Sequence, residues 1–222
     1  MALTNEEQQQ LDYLKQWVTA RVDELMPNAQ SPDVPIGLLD KELDEAARWV
    51  LLNARKELVY VAAKDGSDII LVQKPGKTLI PLDGKYLRFI RLQMQDWVRA
   101  IDSLIGVDSN VYRHQGNEFL RAGKERPTAA IVPYFDGDVR HAIECYPAAE
   151  SVEQFIYIER LPAYKMPVGL VDAMVWLTAS RTMQILGKGE QAQTAMGNMH
   201  GSLSKLLIGM HGEEIIEPEA KR

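Results

Sequence analysis

Cysteine and long apolar runs are both scarce in this chain of 222 residues. The single cysteine, Cys145, excludes an intramolecular disulfide and is typical of a protein made in a reducing compartment. The most apolar stretch, residues 170–186, is interrupted by Asp172 and Arg181, so it does not resemble a membrane span. The first ten residues lack the basic and apolar regions of a secretory signal. We therefore expect a protein made in the cytoplasm, with no membrane association.

The charge balance argues against a protein whose main task is to bind nucleic acid. The net charge is −6, whereas affinity for nucleic acid comes from cations that neutralise phosphates. The distribution is uneven: residues 1–57 hold six Lys or Arg against eleven Asp or Glu, and residues 85–126 hold eight against five. The basic region would suit DNA or RNA, or the acidic surface of a neighbouring copy, and we favour the second.

Apolar periodicity predicts helices at both ends of the chain and strands in the middle. T-N-E-E at 4–7 is a capping box that begins an amphipathic helix, and a second helix is predicted from Asp40. Residues 58–63 and 69–73 are predicted to form a β-hairpin. Further strands are predicted at 86–95, 128–134, 140–147 and 153–161. This spacing favours antiparallel pairing, so we expect an α+β fold with helices at both ends packed on a central antiparallel β-sheet region.

Two helices are predicted to close the chain, at 170–186 and 190–210, separated by G-K-G at 187–189. Apolar residues in the second helix follow a heptad, which either completes the chain's own core, the reading we favour, or forms a seam between subunits. The heptad positions are Ala192, Met196, Met199, Leu203, Leu206 and Met210. We expect three regions: a helix and proline-rich linker at 1–37, a single α+β domain at 38–211, and a flexible tail at 212–222.

Known catalytic and metal-binding motifs are not matched. P-G-K-T at 75–78 lacks the earlier glycine and the following helix of a phosphate-binding loop. On a strand, His141 and Cys145 would be about 13 Å apart, too far for a thiolate–imidazole pair, so Cys145 is expected to be packed in the core. His200 and His211 would lie about 16 Å apart on a continuous helix, too far to share a metal. We expect no enzymatic activity, no cofactor and no metal.

Residues 106–128 form a long polar segment in which aromatic residues alternate with cations. Such a segment is either a platform on which nucleic-acid bases stack or a loop that its aromatic residues hold against the sheet. Long loops in compact domains are often functional, and we favour a docking loop with a short helical turn around 109–115. The candidate assembly contacts are Tyr112, Asn117, Arg121 and Arg126.

A series of short segments resembles one family of virion proteins. The segments, in order, are L-L-D-K-E-L-D-E-A-A-R at 38–48, Y-L-R-F-I-R-L-Q-M-Q-D-W at 86–97, L-I at 104–105, S-x-x-Y-R-x-Q-x-N at 109–117 and R-P at 126–127, followed by the closing helix pair. They are similar to the head-to-tail connector, or ring, proteins of tailed phages of the crAss-like and related Bacteroidetes-infecting groups. The resemblance covers most of residues 38–210. This chain departs from it at Asn110, where a proline is expected, and at R-A-G-K-E-R-P, which replaces a compact R-G-T-P turn.

The resemblance implies a non-enzymatic structural protein of the virion's portal vertex, made in the cytoplasm of the host bacterium. It implies a ring of about a dozen identical copies that joins the portal to tail or other ring proteins. DNA would pass through the lumen without sequence-specific contacts, and the Arg-bearing strand at 86–95 would be a scaffold element whose arginines pair outward with acidic side chains. Two alternatives remain: a nucleic-acid-binding module that uses residues 85–126, and a dimeric intracellular ligand-binding regulator.

Overall fold

The computed structural model describes residues 3–26, 36–60, 63–65, 69–117, 119–137 and 139–211. Helices occur toward both ends of the chain and antiparallel strands between them, which confirms the α+β class. In chain order the elements are α1 (Asn5–Leu25), α2 (Ile36–Asn53), α3 (Lys56–Val59), β1 (Ala63–Asp65), β2 (Val72–Lys74), β3 (Lys77–Leu82), β4 (Tyr86–Met94), α4 (Asn110–Arg113), β5 (Thr128–Asp136), β6 (Val139–Tyr146), β7 (Val152–Glu159), α5 (Val168–Ile185) and α6 (Gly189–His211).

The chain divides into two compact units, which are described separately below. The helical unit combines residues 1–61 with residues 161–222, and the sheet unit comprises residues 62–160. Helix α1 therefore shares a unit with α5, on which it packs, and the expected boundary at residue 37 is not a boundary between these units. Cooperative unfolding of 38–211 as one domain stays a prediction. Of the linker expected at 27–37, residues 36 and 37 belong to α2, whereas residues 27–35 and the tail from residue 212 lie outside the described residues.

The start of α1 confirms the predicted capping box. The Thr4 hydroxyl accepts a hydrogen bond from the Glu7 amide at 3.3 Å, and the Glu7 carboxylate accepts one from the Thr4 amide at 3.0 Å. Two of the backbone N–H groups that a helix start leaves unpaired are thereby satisfied. Helix α2 begins at Ile36, four residues before the predicted start at Asp40.

Helix α5 is the central helix of the helical unit, in contact with α1, α2 and α6. Its residues are buried on nearly every side from Ala173 to Ser180, which explains the near-continuous apolar character of this stretch. The two charges that interrupt the stretch are paired: Asp172 lies 3.3 Å from Arg21, and Arg181 lies 3.6 Å from Glu42.

Helices α5 and α6 form an antiparallel pair, as the sequence predicted. Gly187 ends α5 with a positive φ of 71°, and the Lys188 amide donates to the Met183 carbonyl at 2.8 Å, the pattern expected of a glycine C-cap. Ala192 and Met199 of the predicted heptad are buried inside this single chain. Their burial supports the favoured interpretation, in which the heptad completes the chain's own core.

The sheet unit contains two antiparallel sheets that share one core. One sheet has the strand order β1-β7-β4 and the other β2-β3-β6-β5. Buried residues of both sheets, among them Leu92, Ile143 and Phe155, belong to the same apolar cluster. Cys145 also belongs to it, which confirms that this cysteine is a packed core residue, and burial raises the pKa of its thiol.

The predicted hairpin between residues 58–63 and 69–73 is wrong. Leu58 and Val59 belong to the short helix α3, and Ala63 begins a strand that pairs with β7. The second segment contributes instead to β2, which pairs with β3 through a tight turn at Gly76. Local composition identified strand-forming residues, but strand pairing depends on distant partners that composition does not show.

Strand β3 is a further departure, because no strand was predicted between residues 74 and 85. β2 pairs with β3 no further than Leu79, whereas β6 continues alongside it through Pro81 to Leu82. At Pro81, β3 therefore has one paired neighbour among the described strands. A residue without a backbone N–H is tolerated at such a position.

Candidate interaction surface

The candidate site is the docking loop, residues 106–127, which leads from β4 to β5 in the sheet unit. The Ser109 hydroxyl caps α4 by accepting from the Tyr112 amide at 3.2 Å, and it donates to the Gly106 carbonyl at 2.7 Å. A 3-10 turn at His114–Gly116 follows α4 directly. The predicted helical turn around 109–115 is confirmed.

Tyr112 holds the docking loop on the sheet through a buried carboxylate. Glu144, on β6, is only 4% exposed, and its Oε2 accepts a hydrogen bond from the Tyr112 hydroxyl at 3.4 Å. Its Oε1 lies 2.8 Å from Lys77 Nζ and also accepts from the Tyr146 hydroxyl. Both carboxylate oxygens are thus engaged, so this buried group anchors the loop to the sheet.

The same network perturbs its tyrosines. Burial raises the pKa of Tyr112, and the charge of Glu144 raises it further, with Lys77 acting in the opposite direction. Burial also raises the pKa of Tyr146, followed by its hydrogen bond to Glu144. Both hydroxyls therefore stay protonated at neutral pH and can act as donors to the carboxylate.

Local hydrogen bonds fix the far end of the docking loop. The Gln115 side chain is buried; it donates to the Val111 carbonyl at 2.7 Å and accepts from the Ala122 amide at 2.8 Å. The side-chain oxygen of Asn117 accepts a hydrogen bond from the Phe119 amide at 2.9 Å. The backbone carbonyl of Asn117 accepts one from the Arg121 amide, also at 2.9 Å. Asn117 therefore shapes the turn, and its side-chain oxygen is already used inside the chain.

This turn presents two apolar side chains to solvent. Phe119 is 93% exposed and Leu120 is 57% exposed. An isolated exposed apolar residue needs no explanation, but an adjacent aromatic and aliphatic pair at the end of a well-bonded loop is typical of a contact surface. Phe119 lies in the polar segment at 106–128 but was not among the predicted assembly contacts. The sequence feature that could have indicated it is an apolar pair between hydrophilic residues, in N-E-F-L-R at 117–121.

Three arginines of the docking loop, Arg113, Arg121 and Arg126, are exposed. Across the described ranges, none of the three forms an ion pair, whereas Lys124 of the same loop lies 3.2 Å from Asp96. The Arg121 guanidinium lies against the β2–β3 turn, where a β-carbon on Gly76 would come within 3.0 Å of its Nη1. Arg121 and Arg126 therefore offer charge to an outside partner, while Tyr112 and Asn117 hold the loop in place.

The Arg-bearing strand β4 has a different role from the docking loop. Phe89 and Leu92 point into the shared core, and Arg91 lies 3.9 Å from Asp102, both of these charges being exposed. This outward pairing of Arg91 agrees with the expectation of a scaffold strand. Within the described part of the chain, no group of three or more His, Cys, Asp and Glu side chains is placed to hold a metal ion.

Comparison with known proteins gives no relative: no protein-family model matches the chain, and no curated protein is significantly similar to it. The resemblance to phage connector proteins thus depends on the sequence pattern alone. Among the described helices, none combines the length and the apolar character needed to cross a bilayer.

Proposed function

We propose that this chain is a non-enzymatic structural protein of a phage virion, a connector-ring subunit that joins the portal to tail components at the neck. The proposal is based on the surface that the docking loop exposes. An exposed Phe119–Leu120 pair and three exposed arginines, which form no ion pair among the described residues, are presented on a loop that Tyr112 anchors to the sheet. Such a surface suits a contact with another protein subunit, because it combines an apolar centre with a charged rim.

Charge asymmetry supports contact between copies. Residues 1–57 carry five more acidic than basic residues, and residues 85–126 carry three more basic than acidic ones. Two different patches of one subunit that attract each other produce head-to-tail contacts, which close into a ring when the rotation allows. The overall negative charge also suits a lumen through which DNA passes without adhering.

The test reverses the charge of the docking loop. In the proposed contact, Arg121 and Arg126 attract acidic side chains of the neighbouring copy, and Arg121→Glu/Arg126→Glu turns this attraction into repulsion. We expect the change to weaken each subunit contact by roughly 1–3 kcal/mol, about five- to 150-fold in affinity. Assembly would be followed by native mass spectrometry and electron microscopy over a range of protein concentrations, with circular dichroism to confirm folding. The parent chain is expected to form closed rings of about a dozen copies.

The matched control is Lys74→Glu/Arg160→Glu, which makes the same change in net charge at two exposed cations of the sheet unit outside residues 85–126. We expect this variant to assemble like the parent chain. If the two double variants behave alike, the docking loop is not the contact. A parent chain that forms only a symmetric dimer would overturn the ring.

A nucleic-acid-binding module is the second candidate, favoured by one observation. Phe119 is an exposed aromatic residue within a loop that also presents exposed arginines, an arrangement that also suits base stacking. Binding of single-stranded DNA that weakens steeply with rising salt, and that Phe119→Ala abolishes, would favour this function over the ring.

A further inference from the structure

The helical unit contains an aromatic cavity for which no role has yet been given. We name it the aromatic groove, a cavity of about 780 Å³ between α1 and the start of α5. The residues of its wall that matter here are Glu6, Tyr13, Trp17, Tyr164, Met166 and Val168. Its volume lies in the range of cavities that bind organic groups.

Aromatic rings and a carboxylate give the aromatic groove a defined chemical preference. Tyr13 and Trp17 lie one helical turn apart on α1, with ring centroids 6.0 Å apart, and Tyr13 is 63% exposed. Glu6 adds a carboxylate at the same wall; Lys165 also lines the groove, and Glu7, 3.3 Å from its Nζ, offsets the charge of that lysine. Aromatic faces next to a carboxylate favour a group that is apolar in one part and cationic in another.

A second cavity, of about 870 Å³, lies on the other side of Val168 and has Leu58, Leu170 and Leu206 in its wall. Tyr60 is the aromatic residue of its wall, whereas Tyr13, Trp17 and Tyr164 line the aromatic groove. The aromatic groove is therefore the better match for a partner that presents an aromatic ring beside a cation.

The docking loop presents the complementary group. Its tip, which consists of Phe119, Leu120 and Arg121, joins an aromatic ring, an aliphatic side chain and a guanidinium in three consecutive residues. Phe119 is 93% exposed, so its ring is accessible to a partner. The hydrogen bonds of Asn117 hold the tip in one conformation, which lowers the entropy lost on binding.

We propose that the tip of one copy inserts into the aromatic groove of a neighbouring copy, with Phe119 among the rings and Arg121 near Glu6. This inference rests on the proposed function, because it names the two surfaces that join successive subunits of the ring. Each copy contributes its tip to one neighbour and its groove to the other, which is the head-to-tail contact that a ring requires. The opposite charges of the two regions would also accelerate encounter.

The test is a disulfide formed between two different single-cysteine variants. Phe119→Cys and Tyr164→Cys would be purified separately, mixed under mild oxidation and separated without reducing agent. The native Cys145 is buried and does not compete for oxidation. The mixture is expected to give a cross-linked pair, while either variant alone gives none. Phe135→Cys, at a site that is 77% exposed on the same unit, replaces Phe119→Cys in the control and should give no cross-link.

A second measurement does not depend on oxidation. Phe119→Ser should weaken self-association roughly ten- to a hundredfold, since burial of a phenylalanine contributes about 1.5–3 kcal/mol. Tyr13→Ser should weaken it in the same direction, and Phe135→Ser should leave it unchanged. Equal effects of Phe119→Ser and Phe135→Ser would overturn the proposal.

The outcomes separate this inference from the ring itself. The double variant Phe119→Cys/Tyr164→Cys carries both cysteines on one chain. If it gives cross-linked products of more than two copies, the tip-to-groove contact and the ring are both supported. A product that stops at two copies joined by two disulfides supports the contact and overturns the ring. If rings assemble but no cross-link forms at these positions, the tip-to-groove contact is wrong and the ring is not. If the chain neither assembles nor cross-links, both the contact and the ring are wrong.

Discussion

The two units differ in the kind of apolar surface that they leave exposed. In the helical unit this surface is concave: the aromatic groove and the neighbouring cavity meet at Val168, which is almost fully exposed. In the sheet unit two cavities, of about 340 and 350 Å³, are smaller, and Phe119 and Phe135 project at the ends of a loop and a strand. A molecule with a large apolar groove and separate projecting aromatic rings is suited to contacts between unlike patches, as head-to-tail assembly requires.

The units also differ in which buried groups respond to pH. In the sheet unit, burial raises the pKa of Tyr86, Tyr112, Tyr146 and Tyr157. In the helical unit, hydrogen bonds to Asp40 and Asp12 raise the pKa of Lys15, against the effect of burial. The hydrogen bond to Glu159 likewise raises the pKa of Lys64 in the sheet unit, so paired charges occur in both units.

The largest expected effect on stability comes from replacing a large buried side chain by alanine in the core of either unit. Phe155→Ala in the sheet unit should lower the free energy of unfolding by about 3–5 kcal/mol, and Leu177→Ala in the helical unit by about 2–5 kcal/mol, because both side chains are fully buried. If residues 38–211 unfold as one domain, either substitution destabilises both units equally. Hydrogen exchange measured by mass spectrometry in denaturant reports each unit separately.

The control for this experiment is Val98→Ala, at a mostly exposed site of the sheet unit, with an expected change within about 0.5 kcal/mol. If Phe155→Ala accelerates exchange only in peptides of the sheet unit, the two units unfold independently. The single domain expected from the sequence would then be wrong.

The fold was predictable where contacts are local. Helix ends follow from the capping box at Thr4 and the glycine at 187, whose partners lie within a few residues. Strand pairing was predictable only in part: the strands predicted at 128–134 and 140–147 pair antiparallel as β5 and β6, whereas β1 pairs with β7, almost a hundred residues later. Long-range pairing depends on packing of both faces, which no local pattern encodes.

The candidate site was predictable as a segment but not residue by residue. Alternation of aromatic residues and cations correctly indicated a loop held against the sheet. The anchoring role of Tyr112 could not be predicted, because its partner Glu144 lies on a strand 32 residues later. The aromatic groove combines residues of α1 with residues near 164, so no single stretch of sequence indicates it.

A rise in pH should destabilise the sheet unit next most strongly. An unfolded tyrosine ionises near pH 10, whereas buried Tyr86 and Tyr146 keep their protons to higher pH in the folded chain. Above pH 10 the folded state therefore binds more protons, and stability falls by up to about 1.4 kcal/mol per pH unit for a tyrosine such as Tyr86. Denaturation midpoints measured between pH 8 and 12 test this, and Tyr86→Phe should reduce the slope; a midpoint independent of pH would contradict it.

The smallest expected effect tests whether Tyr112 only anchors the docking loop or also contacts a neighbouring subunit. Tyr112→Phe removes the hydroxyl that donates to Glu144 and keeps the ring, so we expect a loss of about 0.5–1.5 kcal/mol in the free energy of unfolding. Tyr134→Phe is the matched control, because Tyr134 packs on the same apolar cluster while its hydroxyl bonds to Asp136 at the surface; its loss should be smaller. If Tyr112 only anchors the docking loop, Tyr112→Phe leaves self-association unchanged, measured by native mass spectrometry. A variant with unchanged stability but impaired association would instead make Tyr112 part of the subunit contact.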